Sequence, residues 1–332
     1  MKRLIHKILV IRFSSIGDIV LTTPVLRCLK SHYPDAEIHF MTKSANLPVL
    51  AGNPYIAKVW EFRNNFRELI PLLKAEKFSF IADLHRNLRS QYVRLCLRVP
   101  SASFNKLNVE KWLMVNLKIN ILPDVHIVDR YFRAVKPLGV INDGRGLDYF
   151  IPPGEEVDPG SLPDSFRNGY IAFVIGGKHN TKIVPEEKVV EICKQLRRPV
   201  ILMGGKEDAA RGERILGYSS NSRVMNACGK YTISQSASLV RQSECVITND
   251  TGLMHISAAF NKPTISVWGN TIPEFGMYPY MPGDKKENSV IMEVKGLSCR
   301  PCSKLGYPQC PKKHFRCMME QDFDAIIQKL NK

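Results

Sequence analysis

Short apolar stretches alternate with amphipathic ones along nearly the whole chain, and that alternation is what most narrows the fold. The pattern begins at Lys7 with six strand-like residues to Arg12, a small-residue turn Ser14-Ser15-Ile16-Gly17, and Leu21, Val25 and Leu29 at helical spacing. Strand patterns follow near Ala36–Met41, Ala57–Phe62 and Phe78–Asp83, with helical patterns at Phe66–Leu73 and Leu88–Leu97. Such β-α alternation predicts a parallel sheet covered on both faces. Between Asp143 and Arg167 the texture changes, because Pro152-Pro153-Gly154, Pro159-Gly160 and Pro163 interrupt a stretch with little periodicity. Alternation then resumes, with strands expected at Tyr170–Ile175, Pro199–Met203, Glu244–Thr248 and Pro263–Trp268. Helices are expected at Pro185–Leu196, Thr232–Arg241 and Gly252–Phe260. A closing helix over Met319–Leu330 carries Phe323, Ile326, Ile327 and Leu330 on one face. The expectation is an α/β protein of two doubly wound, Rossmann-like domains, 1–160 and 161–332, facing a central cleft. No internal repeat and no low-complexity segment interrupts it.

Length and composition agree with two cores, since 332 residues at 44% hydrophobic can bury two of ordinary size. No apolar run approaches the roughly 18–20 residues of a membrane span. The start, Met1 to Lys7, is basic, but its apolar stretch is short and broken by Arg12, which argues against a secretory signal. A cytoplasmic protein follows as the expectation, with its nine cysteines mostly thiols. Forty-seven Lys and Arg against 31 Asp and Glu give a net charge of +16, which points to an anionic partner. The charges are scattered, so a solvated basic surface is the plain alternative. A nucleic-acid binder would need a basic helix or a stacking platform, and neither is visible.

The first strand-turn-helix unit lacks the glycines that hold a dinucleotide. It has one glycine and then Asp18, a carboxylate that suits a helix start but repels a phosphate. The second half holds the anion site that the first lacks. In CVITNDTGLMHISAAF a buried strand runs into Asn249-Asp250-Thr251-Gly252 and a helix, with Thr251 as N-cap and His255 one turn in. An ordinary capped helix with a packed histidine explains these residues equally well on their own. In IGGKHNTKIVPEEK, Gly176 and Gly177 precede Lys178 and Lys182, a phosphate-compatible loop that does not match a Walker A motif. In MGGKED, Glu207 or Asp208 suits ribose hydroxyls, and a glycine turn with a solvated helix start is the alternative.

The tail carries Cys299, Cys302, Cys310 and Cys317. Four thiolates at this spacing suit structural zinc, while reduced thiols or a disulfide would also pack the loop. No open ligand position or carboxylate accompanies them, which excludes a catalytic metal there. His314, Lys312, Lys313 and Arg316 are expected to lower the thiol pKa values. The one D-x-D string, Asp322-Phe323-Asp324, falls in the closing helix and reads as a helix start.

Arg12-Phe13-Ser14-Ser15-Ile16-Gly17-Asp18 with Thr22-Thr23-Pro24, and Asn249-Asp250-Thr251-Gly252-Leu253-Met254-His255 with Ala258-Ala259, together resemble the two hallmark segments of glycosyltransferase family 9. That is the ADP-heptose:lipopolysaccharide heptosyltransferase family. The resemblance implies a GT-B fold with an N-terminal acceptor domain and a C-terminal nucleotide-sugar domain. It implies that Asp18 is the catalytic base, with Ser14, Ser15 and Gly17 beside the acceptor. By the same resemblance Lys182, Asp250, Thr251, Gly252 and His255 hold the donor, and Glu207 meets its ribose. The implied reaction is inverting and metal-independent transfer of a heptose or related sugar from an ADP-sugar to a phosphorylated lipopolysaccharide (lipid A-core) acceptor. It needs no cofactor for catalysis, brings the chain into peripheral contact with the inner membrane, and involves no nucleic acid. Arg63, Arg67, Arg86 and Arg89 are candidates for the acidic acceptor. Two departures touch the donor: Ile183-Val184 stand where the family often has tryptophan, and Gly269-Asn270-Thr271-Ile272-Pro273 replaces a carboxylate-bearing Gly-Pro-Thr-Asp-Pro. A different nucleotide-sugar donor in surface-glycan synthesis is the alternative within the fold, and a non-enzymatic nucleic-acid or membrane-surface binder the alternative outside it.

Overall fold

The computed structural model describes residues 5–331 of the chain, so Met1 to Leu4 of the basic start lie outside the described residues. The chain forms two compact units. The first takes the residues up to Lys106 together with Val125–Phe150. Its five strands are β1 (Lys7–Ile11), β2 (Glu37–Thr42), β3 (Lys58–Glu61), β4 (Phe80–Asp83) and β5 (Ser101–Ser103). They pair in parallel in the order β3-β2-β1-β4-β5. Central β1 reads KILVI because both of its faces are covered, and Ile8 through Ile11 are wholly buried. One face packs Leu9, Ile11 and Phe13 against Leu69, Ile70 and Leu73 of helix Phe66–Ala75 and Val93 of helix Leu88–Leu97.

The helix Thr23–His32 carries a buried arginine, Arg27, that ties the returning segment to the unit. Its guanidinium meets both oxygens of Asp143 at 2.8 Å, donates to the Gly146 carbonyl at 2.9 Å, and pairs with Asp148. The Asp148 amide in turn donates to Thr23 Oγ1 at 2.9 Å. These bonds hold Asp143 down to about 2, against the cost of its burial.

The second unit takes Leu107–Asp124 and Ile151 onward. Its strands are β6 (Ile171–Val174), β7 (Val200–Met203), β8 (Val224–Asn226), β9 (Cys245–Asn249), β10 (Thr264–Trp268) and β11 (Ser289–Glu293). All pairs are parallel, in the order β11-β10-β9-β6-β7-β8. The expected division at 160/161 moves to 150/151. Residues 155–157 already hang on helix Ile233–Gln242 and its N-cap: the Val157 amide donates to Ser238 Oγ at 3.0 Å, Glu155 accepts from Thr232 at 2.6 Å, and Glu156 pairs with Arg241 at 2.6 Å. The detour 107–124 is a second difference.

The expected helix 319–330 is two pieces, Arg316–Met319 and Phe323–Leu330. Asp322 breaks it by turning its carboxylate onto the Ala325 amide at 3.1 Å, the N-cap that starts the second piece. Phe323, Ile326 and Ile327 then pack on Val189 and Ile192 of helix Glu186–Gln195. Among the described residues no helix is long and apolar enough to cross a membrane.

Candidate functional site

In the first unit the chain leaves the carboxyl end of β1 through Arg12 and enters the short helix Ile16–Val20. Asp18 lies in its first turn. Its Oδ2 accepts from the Ser15 amide and the Ser15 hydroxyl, each at 3.0 Å, and its Oδ1 meets the Arg12 guanidinium at 2.6 Å. Arg12 is itself held by the Ser14 carbonyl at 2.8 Å and the Leu84 carbonyl at 2.6 Å. Burial raises the Asp18 pKa, but the Arg12 charge and the Ser15 bonds outweigh it and leave the carboxyl below its ordinary value. The charge on Asp18 is thus secured by Arg12, a residue that spacing alone did not mark as functional. Its signal was an arginine ending an otherwise apolar strand, six residues before the acid.

The next strand end adds His85. Asp83 at the end of β4 is fully buried and accepts from the amides of His85 at 3.0 Å and Arg86 at 2.7 Å, and from Ser90 Oγ at 2.8 Å. This fixes the turn and sets the His85 ring edge-on against Phe13, 5.1 Å between centroids. Burial, then the Arg12 charge, pushes the imidazole down to about 3, so it is neutral beside Asp18 at neutral pH. Its Nδ1 is buried with no hydrogen-bond partner among the described residues. His85 was not singled out in the sequence, because only tertiary burial marks it.

The candidate acceptor arginines separate. Arg63 pairs with Glu61 at 2.7 Å, and Arg86 donates to the Phe104 carbonyl at 2.9 Å. Arg67 and Arg89 are exposed, and neither side chain has a partner among the described residues. Ser14 and Ser15 bond to Arg12 and Asp18 respectively, and Gly17 is buried in the same short helix.

In the second unit the corresponding place is the carboxyl end of β9. Asn249 is fully buried and ties the ends of β9 and β6 to the loop before helix Glu186–Gln195: Oδ1 accepts from the Val184 amide at 3.1 Å, and Nδ2 donates to the carbonyls of Val174 at 3.1 Å and Gly176 at 3.2 Å. That brings Lys182 to Asp250, and the two form an ion pair. Asp250 also accepts from Thr271 Oγ1 at 3.1 Å. Thr251 takes the N-cap position of helix Gly252–Ala259 without a side-chain cap bond, and its hydroxyl lies 3.4 Å from that of Thr248. His255 is buried on that helix. At the end of β7, Asp208 turns back onto the Gly205 amide at 2.9 Å, while Glu207 is exposed and unpaired among the described residues. Gly176 is required there, since a Cβ would stand 2.1 Å from Asp208 Oδ2.

The cysteine tail buttresses these loops. Arg300, inside the C-x-x-C, has its side chain largely covered; it donates to the carbonyls of Gly269 at 2.7 Å and Thr271 at 2.8 Å, and pairs with Glu293 at 2.7 Å. The Tyr307 amide donates to Thr181 Oγ1 at 2.7 Å, next to Lys182. All nine cysteines are free. Two of the thiols go the opposite way to the expectation: burial pushes Cys302 up to about 11 and Cys317 up to about 12. Among the described residues, the trio with ligand atoms within 4.8 Å of one another is Glu37, His39 and Glu76, and the tail cysteines form no such group. Lys7 and Lys58 already pair with Glu76, at 2.6 and 2.7 Å.

The family model for glycosyltransferase family 9 (heptosyltransferase) matches residues 66–306, a stretch that holds the whole second-unit site and begins after Asp18. Lipopolysaccharide heptosyltransferase 3 of Escherichia coli is 26% identical over 82% of this chain and 87% of its own length. Lipooligosaccharide heptosyltransferase 2 of Campylobacter jejuni is 29% identical over 94% of this chain and 93% of its own. The structure of E. coli ADP-heptose LPS heptosyltransferase II superposes with a TM-score of 0.70 at 20% identity, covering 98% of this chain and 100% of that one.

Proposed function

Since the chain belongs to glycosyltransferase family 9, with the two Rossmann-like units of the GT-B fold, we propose that it transfers a heptose from ADP-heptose to a phosphorylated lipopolysaccharide inner-core acceptor, with inversion and without a catalytic metal. The observation that carries the chemistry is an Asp18 carboxylate held ionised in the first helical turn after β1. A sugar nucleotide brings its own leaving group, so the protein has to accept one proton and stabilise one departing diphosphate. The acceptor oxygen attacks the anomeric carbon as its bond to the diphosphate breaks, and the hydroxyl proton passes to Asp18. A carboxylate held at low pKa is a weak base, which suits proton transfer late in the step, when the attacking hydroxyl has become acidic. Lys182 and the first amides of helix Gly252–Ala259 take the charge that builds on the leaving ADP. Thr251 and His255 line the same helix start, and Glu207 supplies a free carboxylate for ribose hydroxyls.

The names of the similar proteins support a heptose donor and a lipopolysaccharide acceptor, and the acceptor's phosphates give the net charge of +16 a use. We further propose that this work is done at the cytoplasmic face of the inner membrane, where a lipid-linked acceptor would be met. Zinc in the tail rests on cysteine spacing alone and takes no part in the step; metal analysis of the purified protein reads its presence directly. The test of the whole reading is thermal stabilisation by a panel of ADP-, GDP-, UDP- and CMP-sugars. A selective rise in melting temperature with ADP-heptose is expected. Selective stabilisation by another nucleotide sugar would replace the donor and keep the reaction class.

A further inference from the structure

Helix Leu88–Leu97 of the first unit shows solvent two unlike things at once. Its inner side, Ser90 and Val93, is fully buried against the sheet. Its outer side carries Leu88, Tyr92 and Leu95, exposed by 84%, 47% and 74%. These positions follow i, i+4, i+7 and therefore form one stripe along the helix. Single exposed leucines are ordinary, but three apolar side chains on one line are a patch that asks for an occupant.

The charges around the stripe say what the occupant is. From Leu84 to Val109 the sequence has four arginines and Lys106 and no acidic residue. Arg94 is spent within the protein, on Ser101 Oγ at 2.9 Å. Arg89 on the same helix, Arg98 at the residue that ends it, and Arg67 on the neighbouring helix Phe66–Ala75 are exposed, and their side chains have no partner among the described residues. Unpaired guanidinium groups flanking an apolar stripe match an anionic lipid surface, where leucine and tyrosine enter the interface and arginines meet phosphates. The two helices are coupled, since the rings of Phe66 and Tyr92 lie 4.8 Å apart.

We infer that the outer face of helix Leu88–Leu97 lies on the surface of an anionic phospholipid bilayer. This deepens the reading of a lipid-linked acceptor and rests on it for the identity of the membrane.

The experiment is flotation of the full chain with phosphatidylcholine vesicles, with and without phosphatidylglycerol, free of any sugar acceptor or donor. The protein should float with the anionic vesicles at low salt, release as salt rises, and ignore the neutral ones. The doubly substituted Leu88→Glu, Leu95→Glu protein should keep its melting temperature and lose about tenfold or more of the bound fraction. In a Trp112→Phe background, the fluorescence of Leu88→Trp should shift blue on anionic vesicles and be quenched by brominated lipid. Equal binding by the double variant, or an unshifted and unquenched Trp at 88, overturns the inference. So does a vesicle-free dimer that the double variant abolishes, which would make the stripe a contact between two copies. Failure here with intact stabilisation by ADP-heptose would remove the membrane face and leave the transfer reading standing.

Discussion

Each unit ends its central strand in an ion pair, and the two pairs are wired in opposite senses. In the first unit an acid, Asp18, is kept charged by Arg12, six residues back on the same strand end. In the second a cation, Lys182, is paired with Asp250, which comes from a loop 68 residues away. A base must stay ionised until an acceptor arrives, so its partner is a permanent guanidinium that is itself anchored by two carbonyls. A lysine that receives a diphosphate must be able to change partners. In the proposed reaction Asp250 holds Lys182 in place and then competes with the diphosphate for it. On the proposed function, one pair preserves a charge and the other lends one.

The largest expected effect comes from removing the preserved charge. Asp18→Asn should cut turnover by about 100-fold or more while ADP binding is unchanged, as read by steady-state rates and calorimetry. Near-normal turnover would end the role assigned to the first pair. Lys182→Ala should weaken ADP binding by about tenfold or more, because a charge-assisted contact to the ligand is lost. Loss of acceptor affinity alone would mean that the second pair does not serve the diphosphate. Asp250→Asn separates lending from binding: ADP should bind about two- to fivefold more tightly once the competing charge is gone, while transfer from the sugar nucleotide falls. Weaker ADP binding would instead make Asp250 a positioning group with no competing role.

The smallest effect concerns His85, the neutral neighbour of the first pair. The unfolded chain takes up its proton near pH 6.5 and the folded chain only near 3. Stability from this group is therefore complete above pH 6.5 and drains away as pH falls toward 3, by about 1–2 kcal/mol at pH 5. Urea denaturation at pH 7 and pH 5 should show that slope in the native protein and a flatter one in His85→Gln.

What could be read from the sequence follows the range of the interaction involved. β1, β4, β6, β7, β9 and β10 were legible because a strand buried on both faces writes a largely apolar run, as in KILVI and CVIT, and β2 and β3 were legible from their short mixed runs between helical patterns. β5 and β8 were not, since Ser101–Ser103 and Val224–Asn226 are three-residue edge strands with no run to write. Helix Asn108–Asn116 escaped for a different reason: it has no buried residue, so its apolar positions follow no face. At the site, Asp18, Asp250, Thr251 and Gly252 stood out by position beside a turn. Arg12 was adjacent and unread, because the meaning of a strand-end arginine lies in the carboxylate that folds back to it. The service of Asn249, Arg300 and Tyr307 to the loops around Lys182 and Asp250 depends on strands and tail that meet only after folding.

Arg27 sets a timetable. Its partners Asp143 and Asp148 follow 116 and 121 residues later in the chain. On a ribosome adding about 5–20 residues per second, the arginine therefore waits roughly 6–23 s for its first carboxylate. Through that interval the helix bearing it has a guanidinium to bury and nothing to neutralise it. The first unit, although N-terminal, thus closes only after the detour 107–124 has been made and the chain has come back. A nascent chain paused before Asp143 would hold Arg27 beside a nearly finished sheet with neither of its carboxylates in reach.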